Sequence, residues 1–101
     1  MALHQQIVVV QLLLHNVNER ITQTEAAESV LQATMYSIVE EMKQIMQSTS
    51  STLVDYNAAF IRWDDAKIIY ESYASETRSL CITRNHLQFV LEQLLAEHSG
   101  L

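Results

Sequence analysis

Midway along the chain lies Gln47-Ser48-Thr49-Ser50-Ser51-Thr52, a run without a single apolar side chain. Serine and threonine side chains compete with the helical backbone for hydrogen bonds, so such a run interrupts a helix. Thr52 also stands three residues before Asp55, and this spacing approximates the capping box that opens many helices. We therefore predict a turn at about residues 48–52, between a helix at about 3–47 and a second helix at about 53–98.

The composition favours helices on both sides of this turn. The 101 residues include no proline and one glycine, Gly100, and 49% of them are hydrophobic. Proline and glycine normally mark turns and hairpins, whereas Leu, Ala, Gln, Glu and Met, which are abundant here, favour helices. The sequence predicts an all-α fold, and its length is that of one domain covering residues 1–101.

In the first half of the chain, apolar residues recur in steps of three and four from Ile7 to Ile45. Of the twelve positions in this series, only Thr24 and Glu28 are not apolar. This heptad spacing is typical of a helix that packs along another helix. We refer to these positions as the first stripe.

The second half contains two apolar runs with helical spacing. Leu53, Tyr56, Phe60 and Trp63 form the first run, and a later run continues from Leu80 through Leu87 to Leu94 and Leu101. The two runs do not share one heptad register, because extending the later run backwards does not reach the earlier one. The apolar stripe is therefore predicted to shift around the helix near residues 64–69, as a stutter would cause.

Two polar patches occupy equivalent places in the two halves, at residues 22–25 (Thr-Gln-Thr-Glu) and 75–78 (Ser-Glu-Thr-Arg). If the chain reverses at about residue 50, these patches lie side by side. Two architectures explain this: an antiparallel hairpin of two helices of about 45 residues with a polar layer halfway, or a monomeric four-helix bundle with turns at both patches. We favour the hairpin, because neither patch contains the glycine on which helices commonly end.

The two ends of the chain are more apolar than one packing stripe requires. Residues 7–14 are apolar nearly all round the helix, since Val8, Val9, Leu12 and Leu13 lie off the first stripe, and such a helix must be buried on every side. A lone hairpin cannot bury this segment on every side. We therefore expect two hairpins to form a dimeric four-helix bundle, or one hairpin to pack against another helical protein. The predicted interface residues are apolar and aromatic: Ile7, Val10, Leu13, Leu14, Phe60, Trp63, Leu87, Val90, Leu91 and Leu94.

Charge, hydropathy and cysteine content argue against several classes of protein. The formal net charge is −6 and the six basic residues are scattered, so we expect no nucleic-acid binding. The apolar run at 7–14 is far shorter than the roughly 20 residues of a membrane span, and no basic residue precedes it as in a signal peptide. Cys81 is the only cysteine, so the fold needs no disulfide, and we expect a cytoplasmic protein.

Catalytic and metal-binding motifs are not evident in the sequence. Reversal of the chain near residue 50 would bring His4 close to His98 and His15 close to His86. Each pair supplies only two ligands, whereas a structural metal site requires three or four that converge. No Gly-rich phosphate loop or nucleophile motif occurs. We therefore predict that the chain is not an enzyme, with no cofactor, metal or small-molecule substrate.

The leading functional hypothesis is an assembly subunit, such as an adaptor, chaperone or structural component, that acts through apolar helix packing. The alternative is an acidic binding or inhibitor module that docks on a basic protein surface through Glu40-Glu41 and Asp64-Asp65. A third hypothesis is a helical-bundle metal protein that uses the histidine pairs.

Overall fold

Two long helices make up the fold of residues 2–100, which a computed structural model describes. Helix α1 spans Leu3–Gln47 and helix α2 spans Leu53–His98, and the two form an antiparallel hairpin. The predicted all-α hairpin is confirmed. The alternative of a monomeric four-helix bundle is wrong, because α1 continues through residues 22–25 and α2 through 75–78. The predicted dimer stays a prediction, and Leu101 lies outside the described residues.

The turn lies in the Ser/Thr run, and a capping box opens α2. The backbone N–H of Asp55 donates to Thr52 Oγ1 over 3.3 Å, and the backbone N–H of Thr52 donates to Asp55 Oδ2 over 2.9 Å. Two backbone donors at the helix start thus receive acceptors, and the carboxylate also faces the positive end of the helix dipole. The capping box predicted from the Thr52–Asp55 spacing is confirmed.

Contacts within the chain group into two compact units. Unit 1 consists of the segment up to Thr24 and the segment from Glu76 onward, and unit 2 consists of Glu25–Ser75. Each unit therefore contains part of α1 and part of α2.

The first stripe forms the packed face of α1. All twelve of its positions from Ile7 to Ile45 are buried or half-buried, including the polar residues Thr24 and Glu28. The heptad spacing that the sequence displays is therefore the spacing of burial along this helix.

The packed face of α2 differs from the prediction. Buried and half-buried positions recur in alternating steps of three and four along the helix, so the predicted shift near residues 64–69 is wrong. The reason is that Ala59 and Ala66, which are 1% and 7% exposed, hold core positions where the prediction looked for large side chains, while Phe60 is 44% exposed. The second stripe comprises Tyr56, Ala59, Trp63, Ala66, Tyr70, Tyr73, Thr77, Leu80, Arg84, Leu87, Leu91 and Leu94.

Polar contacts join the two helices inside unit 1, where the predicted patches meet. Thr77 Oγ1 donates to Thr24 Oγ1 over 2.7 Å, and Thr24 Oγ1 in turn donates to the carbonyl of Ile21 over 3.0 Å. Beside them, Arg20 forms an ion pair with Glu76, with Nη2 2.7 Å from Oε1. The predicted pairing of residues near 24 with residues near 77 is confirmed.

Unit 2 has its own contacts between the helices. Arg62 Nη1 donates to both carboxylate oxygens of Glu41, at 2.9 Å and 3.0 Å. The side-chain amide of Gln32 donates to the hydroxyl of Tyr70 over 3.0 Å. These contacts pair residues whose numbers sum to about 100, as expected for a hairpin that reverses near residue 50.

Candidate functional site

Most of the predicted interface residues lie in the packing between the two helices. Ile7, Val10 and Leu14 are buried, and the residues predicted on α2 are half-buried: Trp63, Leu87, Val90, Leu91 and Leu94. Only Leu13 and Phe60 stay exposed. Eight of the ten residues are thus at least partly covered within the chain, and their role in an interface with a partner stays a prediction.

Four apolar side chains of α1 in unit 1 remain on the surface. Val8, Val9, Leu12 and Leu13 are 42% to 58% exposed, and we call them the α1 outer cluster. Val8 with Leu12, and Val9 with Leu13, are four residues apart and so lie next to each other on the helix. Together they form an apolar patch on the surface of α1. The signal for this cluster in the sequence is its displacement from the first stripe.

The α2 segment of unit 1 also exposes apolar side chains. Ile82, Phe89 and Leu95 are all exposed, and Ile82 and Phe89 are one heptad apart, on the same face of the helix. Both helices of unit 1 therefore present apolar residues outside their packed stripes.

Formal charge is unequally divided between the two units. Unit 2 has eight acidic and three basic residues, a net charge of −5. Unit 1 has four acidic and three basic residues, a net charge of −1, and also all four histidines. Unit 1 is therefore nearly neutral, whereas unit 2 carries most of the charge of −6.

An open groove of about 480 Å³ lies in unit 2, within the size range of ligand sites. Residues of both helices line it, including Trp63 and Tyr70 of the second stripe. We call this the aromatic groove, and its lining residues are Gln32, Met35, Tyr36, Val39, Trp63 and Tyr70.

Trp63 stands at the centre of a small cluster beside this groove. Its ring stacks on that of Phe60, with 6.1 Å between centroids and 30° between planes. The ammonium of Lys67 lies 5.3 Å from the centre of the Trp63 ring, a cation–π distance, and 3.9 Å from Glu71 Oε1. The sequence identified Trp63 as a core or interface anchor, and the groove had no signal in the spacing of apolar residues.

The candidate ligands for a metal lie in unit 1. His15 Nε2 is 3.3 Å from Glu19 Oε1, four residues along the helix. Among residues 2–100, no three His, Cys, Asp or Glu side chains converge on a point where a metal ion could bind. Cys81 is a free, half-buried thiol.

Neither helix, within the described residues, is apolar enough over sufficient length to cross a membrane. Comparison of the chain with protein-family models, curated proteins and solved structures gave no match.

Proposed function

We propose that this protein is a non-enzymatic assembly subunit that self-associates through the outer surface of unit 1. The observation that carries the proposal is the α1 outer cluster. Its four apolar side chains stay exposed although the opposite side of α1 is already packed against α2. Contiguous apolar patches on a protein surface are often functional.

The charge of unit 1 favours a second copy as the occupant of this surface. At a net charge of −1, two copies of unit 1 approach with little repulsion. Unit 1 also has exposed charges of both signs that form no ion pair within residues 2–100, namely Arg78 against Glu92 and Glu97. Such a surface is complementary to itself, as a two-fold symmetric interface requires.

The size of the surface is also consistent with a dimer. A stable interface typically covers about 800 Å² on each partner, of which somewhat more than half is apolar. The α1 outer cluster supplies part of this apolar area. Two hairpins packed through this surface would cover residues 7–14 on the side of α1 that α2 leaves exposed, as a helix that is apolar nearly all round requires.

Sedimentation velocity over a hundredfold range of protein concentration tests the proposal. We expect a concentration-dependent dimer, and we expect a Val9→Gln, Leu12→Gln variant to be shifted strongly towards monomer. Ile68→Gln is the matched control, because Ile68 is in unit 2 and as exposed as Leu12. Circular dichroism verifies that each variant keeps its helices.

A wild-type protein that is a folded monomer at every concentration would contradict self-association. It would point to a different helical protein as the occupant of the α1 outer cluster. An equal effect of the Ile68→Gln control would place the dimer interface outside unit 1 and also contradict the proposal.

The charge of unit 2 supports a second candidate function, which is docking on a basic protein surface. A unit with a net charge of −5 attracts a cationic partner at long range and repels another acidic one. The test is binding to a cationic peptide in buffers of rising ionic strength. Binding that does not respond to salt would contradict this candidate, because screening weakens attraction between exposed charges.

A further inference from the structure

We propose that the aromatic groove of unit 2 binds an arginine side chain of a basic protein segment. This inference rests on the second candidate function and gives it a specific site. The groove is separate from the α1 outer cluster, which belongs to unit 1.

The side chains of the groove match the chemistry of a guanidinium group. Trp63, Tyr36 and Tyr70 provide aromatic faces, and Met35 and Val39 provide apolar contacts for a methylene chain. A guanidinium is planar, always charged and weakly hydrated, so it stacks on aromatic rings more readily than an ammonium does. Tyr36, which is 75% exposed, is accessible to a partner without any rearrangement.

The contact of Lys67 with Trp63 supports the same chemistry. The Lys67 ammonium lies over the ring, so a cation already uses the negative face of this tryptophan. Lys67 also approaches Glu71, which gives the ammonium a second position once it leaves the ring. An incoming guanidinium therefore exchanges with an ammonium that remains neutralised.

Charge around the groove favours a basic occupant. Asp64 and Asp65 directly follow Trp63, and neither forms an ion pair within residues 2–100. They belong to the unit with a net charge of −5. A basic segment with its arginine in the groove would place its other cations near these carboxylates, whereas an acidic segment would be repelled.

Fluorescence gives a direct readout, because Trp63 is the only tryptophan of the chain. The probe is a capped hexapeptide of alternating glycine and arginine, titrated into the full-length protein at low salt. Its control is the same peptide with citrulline in place of arginine, which keeps the shape and removes the charge. We expect a saturable change in Trp63 emission with the arginine peptide and none with the citrulline peptide.

Two pairs of variants locate the binding site, with affinities measured by calorimetry. Tyr36→Ala should weaken binding at least fivefold, whereas Val30→Ala, an exposed α1 position outside the groove, should not. Lys67→Gln should strengthen binding at least threefold more than Lys43→Gln does. Both lysine variants remove one positive charge from unit 2, but only Lys67 lies over the ring of Trp63.

The outcomes separate the groove from general acidic docking. Salt-sensitive binding with unchanged Trp63 emission would contradict an arginine site in the groove. Equal effects of Lys67→Gln and Lys43→Gln would contradict it as well. Either result would still be compatible with the second candidate function. No binding of the arginine peptide at low salt would overturn both. Equal binding of the citrulline peptide would also overturn the arginine site.

Discussion

The hydroxyl of Thr77 donates a 2.7 Å hydrogen bond to the hydroxyl of Thr24, which is fully buried. Within residues 2–100, Thr24 is the only fully buried polar side chain, and on the first stripe Glu28 is the only other polar residue. A single polar residue at a core position of a coiled coil fixes the register of its helices, because a shifted pairing leaves the polar group without a partner. Thr24 keeps its bond to the Ile21 carbonyl in any alignment, so the bond from Thr77 is the part of this contact that depends on how α1 pairs with α2.

Replacing Thr24 and Thr77 should show how much their hydrogen bond contributes to stability. Thr24→Val keeps the shape but removes the acceptor for Thr77, so we expect a loss of about 1 kcal/mol in the free energy of unfolding. The Thr24→Val, Thr77→Val double variant should recover most of that loss, because neither hydroxyl then needs a partner. Urea denaturation of the two single variants and the double variant gives the coupling energy. A Thr24→Val variant more stable than the wild type would contradict this account.

Small side chains on the second stripe should be intolerant of added volume. Ala59 is almost completely buried, so Ala59→Leu should lower the free energy of unfolding by about 1–3 kcal/mol through overpacking. Ala58 is the next residue and is exposed, so Ala58→Leu is the matched control and should have little effect. Thermal unfolding followed by circular dichroism compares them. Equal melting temperatures for the two variants would contradict the position of Ala59 on the packed face and favour the shifted stripe predicted from the sequence.

The capping box at the start of α2 should contribute measurably to stability. Thr52→Ala removes the acceptor for the backbone N–H of Asp55, and we expect a cost of about 1 kcal/mol. Thr49→Ala, an exposed position in the same turn, should cost much less. Urea midpoints of the two variants provide the comparison. A larger cost for Thr49→Ala would indicate that the turn, and not the cap, stabilises this junction.

A chelator should not affect the fold, because no three ligand side chains converge within residues 2–100. We expect the same melting temperature with and without EDTA. Added zinc should change the melting temperature of neither the wild type nor a His15→Ala, His86→Ala variant. A melting temperature that rises with zinc only in the wild type would revive the hypothesis of a helical metal protein.

Local chemistry made several features readable from the sequence. The turn follows from six polar residues without an apolar neighbour, and the capping box from the spacing of Thr52 and Asp55. The meeting of the patches at Thr24 and Thr77 follows from the position of that turn, since an antiparallel hairpin pairs residues at equal distances from it. These inferences depend only on residues close in sequence or on one reversal of the chain.

The second stripe was not readable in the same way. Alanine is common in helices and carries little hydrophobic signal, so the apolar spacing did not place Ala59 in the core. Phe60 drew attention because it is large, although it lies beside the stripe. Burial of a residue in a pair of helices depends on the space between the two helices. The apolar pattern of one helix does not predict that space.

The sequence by itself determined an all-α fold, its central turn and the pairing of its polar patches, because each depends on local hydrogen bonding and heptad spacing, whereas the structure decided for the hairpin over the four-helix bundle. Only the tertiary structure decided which apolar residues are buried between the two helices and which remain exposed. It placed Ile7, Val10 and Leu14 inside, left Val8 and Leu12 on the surface, and formed the aromatic groove between Tyr36 and Trp63. The physical reason is that exposure depends on what the opposite helix covers, which becomes defined when the two helices pack.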